Sequence, residues 1–176
     1  MTHARTGVPG MWAFLATDAM GFGGLFVAYG FLRTRAASWP DPRLHLALLP
    51  AAALTLALLA SAFTVGEAAR AATGRGRTAW LAATLVLALT FAGGELVEYH
   101  RLWTGAAPVR LGDLYGATFF VITGYHLLHV LAGVIWLFAA VGRAERAALQ
   151  VGALYWQFVD VAWMPIFTFL YLVPAR

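Results

Sequence analysis

Two histidines near the middle of a long apolar segment are the residues with the clearest chemical potential. His126 and His129 lie three positions apart within residues 115–141, which otherwise form an almost uninterrupted apolar run. A helix would place both imidazoles on one face, with Thr123 one turn earlier. Hydrocarbon tolerates ionisable side chains poorly, so such residues within a membrane span are functional candidates by default. Imidazoles can ligate a metal, move a proton or hydrogen-bond to a neighbouring helix.

Four carboxylates occupy other apolar segments. Glu95 and Glu98 share one face near the end of their segment, and the Glu98–Arg101 spacing suits a structural ion pair, which leaves Glu95 harder to explain. Asp18 lies seven residues into the first segment, about 10 Å deep, and Asp160 lies in the last segment. A carboxylate at such a depth is protonated, paired, or facing water or another subunit. For Asp18, a packed hydrogen bond and a role in proton handling both remain open.

Three arrangements could use these residues. A haem bound by two histidines is disfavoured, because two imidazoles on one helix cannot approach a haem from both sides. A carboxylate-bridged dimetal site normally takes a Glu-x-x-His pair from each of two helices, and no segment contains one. We favour interhelical hydrogen bonds from His126 and His129 to carboxylates, in a bundle that could line a water path. An independent dimetal membrane enzyme is the alternative.

The composition requires a membrane to hold these residues. Hydrophobic residues make up 61% of the 176-residue chain and charged residues 11%. A chain of this composition has more apolar surface than one water-soluble core could bury. About 20 apolar residues cross a bilayer, and the segments lack the strict alternation of a membrane β-barrel. We therefore expect an all-α integral membrane bundle forming one domain over residues 1–176. Its five transmembrane helices should cover residues 11–32, 44–65, 78–97, 115–141 and 152–173.

Charge and residue usage narrow the partners. The absence of cysteine excludes disulfides and thiolate metal sites. All twelve basic residues are arginine and the net charge is +4, which suits anionic phospholipid headgroups. Trp39 and Trp103, near span ends, are candidate lipid contacts. Six arginines fall on each predicted side of the membrane, so charge alone gives no orientation.

Several motifs, read in order, resemble subunit III of the haem-copper cytochrome c and quinol oxidases. The run from Trp12 to Phe26 is similar to W-x-F-x-x-S-E-x-x-F-F-x-G-x-F, and Trp39-Pro40 and Glu98-Tyr99 match short later motifs. Residues 115–120, 123–130 and 155–163 resemble Y-G-S-T-F-F, T-G-F-H-G-L-H-V and Y-W-H-F-V-D-V-V-W. These matches span nearly the whole chain, and five spans resemble the short bacterial form.

The resemblance implies an accessory subunit without a catalytic centre or metal of its own. Haem and copper would lie in partner subunits, with this chain packed on the catalytic subunit I, holding phospholipids and supporting proton uptake. It would lie in the bacterial cytoplasmic membrane with its N-terminus in the cytoplasm, and no nucleic-acid partner is expected. A nitric oxide reductase subunit is a close alternative, because the electron donor and the reduced gas are decided on other chains.

Two departures from the family pattern bear on proton handling. Asp18 stands where the family has a longer glutamate, and Gln157 replaces a histidine. Both changes weaken the expectation of proton transfer through these positions and leave a packing role intact. Pro165 should bend the last span beside Asp160 and Trp163, where a polar pocket is expected.

Overall fold

Five long helices account for the fold. The computed structural model describes residues 3–42, 46–71, 74–105, 108–141 and 146–173, and this part of the chain contains no β-strand. The helices are α1 (His3–Arg35), α2 (Leu48–Arg70), α3 (Arg75–Thr104), α4 (Leu114–Val141) and α5 (Arg146–Phe167), and a π-helical turn, Thr168–Leu172, extends α5. All five are long and apolar enough to cross a membrane, which confirms the expected all-α membrane bundle.

The helices reach beyond most of the predicted spans. The first helix begins at His3 rather than residue 11, so Asp18 lies near its midpoint, about 22 Å from its first residue. Residues 44 and 45 of the second predicted span lie outside the described residues, as do three arginines of the charge count, Arg43, Arg143 and Arg176.

The last helix occupies the centre of the bundle. It packs against α1, α2 and α4, while α2 and α3 form an antiparallel hairpin and α3 also contacts α4. Half of the most apolar window of α5 is buried, against 22% of the corresponding window of α1. The first helix is therefore peripheral, and most of its surface faces the surroundings of the isolated chain.

Two tryptophans fix α5 to α2. The indole N–H of Trp156 donates to Ser61 Oγ at 2.9 Å, and that of Trp163 donates to Thr55 Oγ1 at 2.9 Å. Both indoles are fully buried. Each hydroxyl also donates to a carbonyl of its own helix, so these polar groups are satisfied without water.

Close approach of α4 to α5 depends on Gly133. A Cβ atom at this position would lie 2.7 Å from Trp156 Cε3, closer than side chains pack. Small residues allow such contacts in membranes, where lipid provides no hydrophobic drive for helix association. Gly133 thus positions the face of α4 that carries His126 and His129 against α5.

Candidate functional site

Asp18 joins α1 to α4 near the middle of both helices. The Tyr125 hydroxyl donates to Asp18 Oδ1 at 2.9 Å. His129 Nε2 lies 3.1 Å from both carboxylate oxygens and has hydrogen-bond geometry toward Oδ1. All three residues lie near the midpoints of their helices, so the structure places an acid and an imidazole in contact where hydrocarbon would surround them. We name this set, Asp18, Tyr125 and His129, the aspartate cluster.

The partners of His129 determine how many protons the pair holds. Its Nδ1 lies 2.7 Å from the Tyr125 backbone carbonyl, which only accepts hydrogen bonds, so Nδ1 must carry a hydrogen. One further proton then lies between Nε2 and Asp18, either as imidazolium and carboxylate or as neutral imidazole and carboxylic acid. Both forms have zero net charge, which makes the pair tolerable at this depth.

Aromatic rings pack against the aspartate cluster. The Phe22 ring lies 4.9 Å from that of Tyr125 and 5.3 Å from that of His129, measured between centroids. The Tyr155 hydroxyl donates to the His129 carbonyl at 3.0 Å, which connects α5 to the same turn of α4. The His129 side chain is 14% exposed and Tyr125 is half-buried, so the cluster borders the outer surface of the isolated chain.

A second polar set joins α3, α4 and the π-helical turn. The Tyr171 hydroxyl donates to Glu98 Oε2 at 2.6 Å, and the Tyr99 hydroxyl lies 2.7 Å from Thr123 Oγ1. Thr123 already donates to the Phe119 carbonyl, so Tyr99 is the donor in their bond. We name this set, Glu98, Tyr99, Thr123 and Tyr171, the glutamate cluster.

Tyr171 donates the side-chain hydrogen bond to Glu98, and the Ala47 backbone also hydrogen-bonds to this carboxylate. Among the described residues, no ion pair within 4 Å joins Glu98 to Arg101, and the two residues interact electrostatically at a longer distance. Glu98 is buried and faces the bundle, whereas Arg101 is exposed one turn later. Glu98 and Arg101 both lie near the C-terminal end of α3, as their spacing predicted. Because the Glu98 carboxylate is buried, its side-chain hydrogen bond comes from the Tyr171 hydroxyl at the end of α5 rather than from the exposed guanidinium.

Besides Asp18, whose Oδ2 is buried and unpartnered, three predicted polar residues have buried atoms without a hydrogen-bond partner among the described residues. Glu95 is 1% exposed with both carboxylate oxygens unpartnered, and His126 is fully buried with both ring nitrogens unpartnered. Asp160 is 6% exposed, and its Oδ1 has no partner. Beside Pro165, where a polar pocket was predicted, the structure has one buried and unpartnered carboxylate oxygen, Asp160 Oδ1.

The structure brings together only part of the predicted ligand set. Asp18 meets His129, as the interhelical hydrogen-bond hypothesis predicted, but His126 reaches no carboxylate. Within the described residues, no group of three or more His, Asp or Glu side chains is arranged to hold a metal ion. The dimetal hypothesis required these carboxylates and imidazoles to converge, so the geometry does not support it.

Sequence reasoning missed the tyrosines that complete both clusters. Tyr125 precedes His129 by one turn, so helical spacing alone could have placed its hydroxyl beside the imidazole. Tyr155 and Tyr171 carry no such local signal, because their partners are 26 and 73 positions away in the chain. Tyrosine is also an ordinary membrane residue, so its type did not single these positions out.

Comparison with known proteins identifies the family. Residues 5–174 match the sequence profile of the family described as cytochrome c oxidase subunit III. The chain belongs to this family. It is 31% identical to cytochrome c oxidase subunit 3 of Thermostichus vulcanus, over 97% of this chain and 89% of that protein. It is 35% identical to cytochrome bo(3) ubiquinol oxidase subunit 3 of Pseudomonas putida, over 94% of this chain and 85% of that protein.

A third relative comes from another bacterial lineage. The probable cytochrome c oxidase subunit 3 of Mycobacterium tuberculosis (strain ATCC 25618 / H37Rv) is 34% identical, over 93% of this chain and 86% of that protein. The subunit III resemblance drawn from the motifs is thereby confirmed. The chain is a multi-pass membrane protein of an oxidase family.

The two tryptophans proposed as lipid contacts of this subunit III chain differ in environment. Trp103 is 57% exposed near the end of α3, where an indole suits the membrane interface. Trp39 is only 4% exposed and packs edge-on against Tyr29 and Tyr115, with the Arg33 guanidinium 6.0 Å from its ring centroid. Its burial makes Trp39 a packing residue of the connection after α1, which disfavours direct lipid contact there.

Proposed function

We propose that this chain is the noncatalytic accessory subunit III of a bacterial haem-copper terminal oxidase. The observation that supports this most strongly is the family match over residues 5–174. Relatives named for both cytochrome c and ubiquinol oxidases cover nearly all of the chain, so the family serves more than one electron donor. Oxygen reduction, electron transfer and proton translocation take place on partner subunits, and this chain assists them.

The catalytic subunit I is the proposed partner, and it carries the haem and copper. The carboxylates and imidazoles considered as metal ligands lie in separate places. Asp18 and His129 pair between α1 and α4, Glu95 and Glu98 lie on α3, and Asp160 lies on α5. Such contacts join helices to one another. The peripheral helix α1 and the outer faces of the bundle expose large apolar side chains that a neighbouring subunit or lipid would cover. In this proposal the chain lies in the cytoplasmic membrane with its N-terminus in the cytoplasm.

Phospholipid is the second proposed partner. A groove of about 260 Å³ opens between α1 and the end of α5, lined mainly by apolar side chains together with Arg33 and Thr34. Arg33 donates to the Tyr29 hydroxyl at 2.7 Å, which holds its guanidinium at the rim of the groove. An acyl chain suits the apolar wall and a phosphate suits the guanidinium. Trp103 supplies a separate interfacial contact.

Support of proton uptake is the third part of the proposal. The aspartate cluster joins a carboxylate, an imidazole and a phenol by hydrogen bonds near the middle of α1 and α4, which supports its participation in a proton-linked network. The shorter Asp18 and the neutral Gln157 restrict that network compared with the family pattern. Glu95, Glu98, His126 and Asp160 are the remaining candidate members.

Removal of the chain tests the function. We expect that an oxidase assembled without it consumes oxygen at first, then loses activity during turnover and takes up protons more slowly. Restoring the full chain should reverse both effects. Unchanged turnover stability and proton uptake would contradict the proposal, and loss of nitric oxide consumption in place of oxygen consumption would favour the nitric oxide reductase alternative.

A further inference from the structure

Glu95 and His126 present four buried polar atoms that have no hydrogen-bond partner among the described residues. Both oxygens of Glu95 and both nitrogens of His126 are inaccessible and make no hydrogen bond. Leaving such groups unsatisfied costs about 1–3 kcal/mol each, so native proteins almost always pair them with protein or internal water. Glu95 and His126 lie on the buried faces of adjacent helices, where internal water would satisfy them.

Neighbouring contacts place the two side chains at one level of the α3–α4 interface. One turn beyond Glu95, Tyr99 bonds to Thr123, and one turn before it, the Phe91 ring lies 5.8 Å from the His126 ring. Because α3 and α4 run antiparallel, these two contacts bracket Glu95 between Thr123 and His126. Phe91, Glu95, Thr123 and His126 are buried on the inner faces of their helices, and Tyr99 is partly buried.

The walls around His126 are aromatic. Its ring centroid lies 5.0 Å from that of Trp163, 5.8 Å from that of Phe91 and 6.3 Å from that of Phe22. A ring face can accept a weak N–H contact, but it cannot donate to the second imidazole nitrogen or to a carboxylate. A group that satisfies both side chains must therefore both donate and accept hydrogen bonds.

We propose that Glu95 and His126 together bind internal water, which bridges α3 to α4. A buried water makes about three hydrogen bonds, and these two side chains offer enough polar atoms to hold it. Stable protein metal sites use three or four protein ligands, so two ligands suit water better than a metal ion.

The water site would lie between the two polar clusters. His126 precedes His129 of the aspartate cluster by one turn, and Glu95 precedes Glu98 of the glutamate cluster by one turn. A bridging water would thus lie one helical turn from the aspartate cluster on α4 and one helical turn from the glutamate cluster on α3. This inference concerns the interior of the chain and does not depend on which oxidase contains it.

Cryo-electron microscopy of the intact complex tests the site directly. At a resolution that shows ordered water, we expect density within hydrogen-bonding distance of both the Glu95 carboxylate and the His126 ring. A dry interface would overturn the proposal. Direct contact between the two side chains, or a partner-subunit side chain inserted between them, would also overturn it.

A double-mutant cycle tests the coupling independently of resolution. Glu95→Leu and His126→Phe should each lower the temperature at which the chain dissociates from the complex, because each leaves the other residue with water that is poorly held. The double variant should be more stable than the sum of the two losses predicts. Strictly additive losses would contradict shared water, and His100→Gln, at an exposed position of α3, serves as the control.

If the apolar variants do not assemble, Glu95→Gln and His126→Gln replace them. Both amides can donate and accept hydrogen bonds, so each variant should assemble and keep the water density. Assembly without that density would contradict the proposal.

Discussion

At the scale of single residues, the hydrogen bond between Asp18 and His129 shows how a polar pair is accommodated inside the bundle. An interhelical hydrogen bond could be predicted from the sequence, because an aspartate and an imidazole in apolar segments require partners. Their mutual pairing could not, since His126 lies on the same face and was an equal candidate. The packing explains why His129, and not His126, pairs with Asp18. Phe22, Phe91 and Trp163 surround His126, while His129 is directed toward α1.

Replacement of Asp18 separates hydrogen bonding from charge. In Asp18→Asn, the amide oxygen can accept from Tyr125 and the amide nitrogen can donate to Nε2 of neutral His129, so assembly should remain close to wild type. Asp18→Leu leaves both donors unpartnered and should cost about 1–3 kcal/mol. The thermal dissociation midpoint of the chain from the complex measures both effects. Equal losses in the two variants would show that the charge of Asp18, rather than its hydrogen bonds, holds α1 in place.

At the scale of helices, hydropathy predicted all five elements, because a bilayer requires long apolar segments whatever their packing. The central position of α5 could not be predicted, since it depends on contacts of Trp156 and Trp163 with α2 hydroxyls that lie 95 and 108 residues away in the chain. The bend at Pro165 was expected, but the π-helical turn that follows was not. That turn presents Tyr171 to Glu98, and so determines the partner of the carboxylate.

Gly133→Ala tests the close contact of α4 with α5. The added methyl would lie 2.7 Å from Trp156, and overpacking of this kind costs about 1–3 kcal/mol. Gly76→Ala is the matched control, because a Cβ there meets nothing within 4 Å in the first turn of α3. We expect a lower dissociation midpoint for the first variant only. A midpoint as high as that of the control would show that α4 does not approach α5 through Gly133.

Tyr171→Phe tests the π-helical turn. The variant keeps the ring and its contacts with Phe119 and Phe167 but removes the hydroxyl that donates to Glu98. Loss of a donor to a buried carboxylate should cost about 1–3 kcal/mol and change the infrared carboxyl band of Glu98. Glu98→Gln should remove that band, which provides its assignment. An unchanged band in Tyr171→Phe would contradict the contact between Tyr171 and Glu98.

At the scale of the whole molecule, the bundle is organised to hold helices together and to face partners. The central α5 connects α1, α2 and α4, and the polar clusters lie between helices. The apolar outer surface, with large exposed side chains on every helix, suits lipid and neighbouring subunits. The motif order predicted the family, whereas the division of the candidate ligands into separate clusters emerged only from the fold.

Affinity purification of the tagged full-length chain from its native membranes tests the central claim most directly. The account predicts a complex with one haem-copper catalytic subunit per chain, the haem and copper content of that subunit, and oxygen consumption with cytochrome c or quinol. Recovery of the chain alone, or with partners that contain neither haem nor copper, would contradict its assignment as an oxidase subunit III.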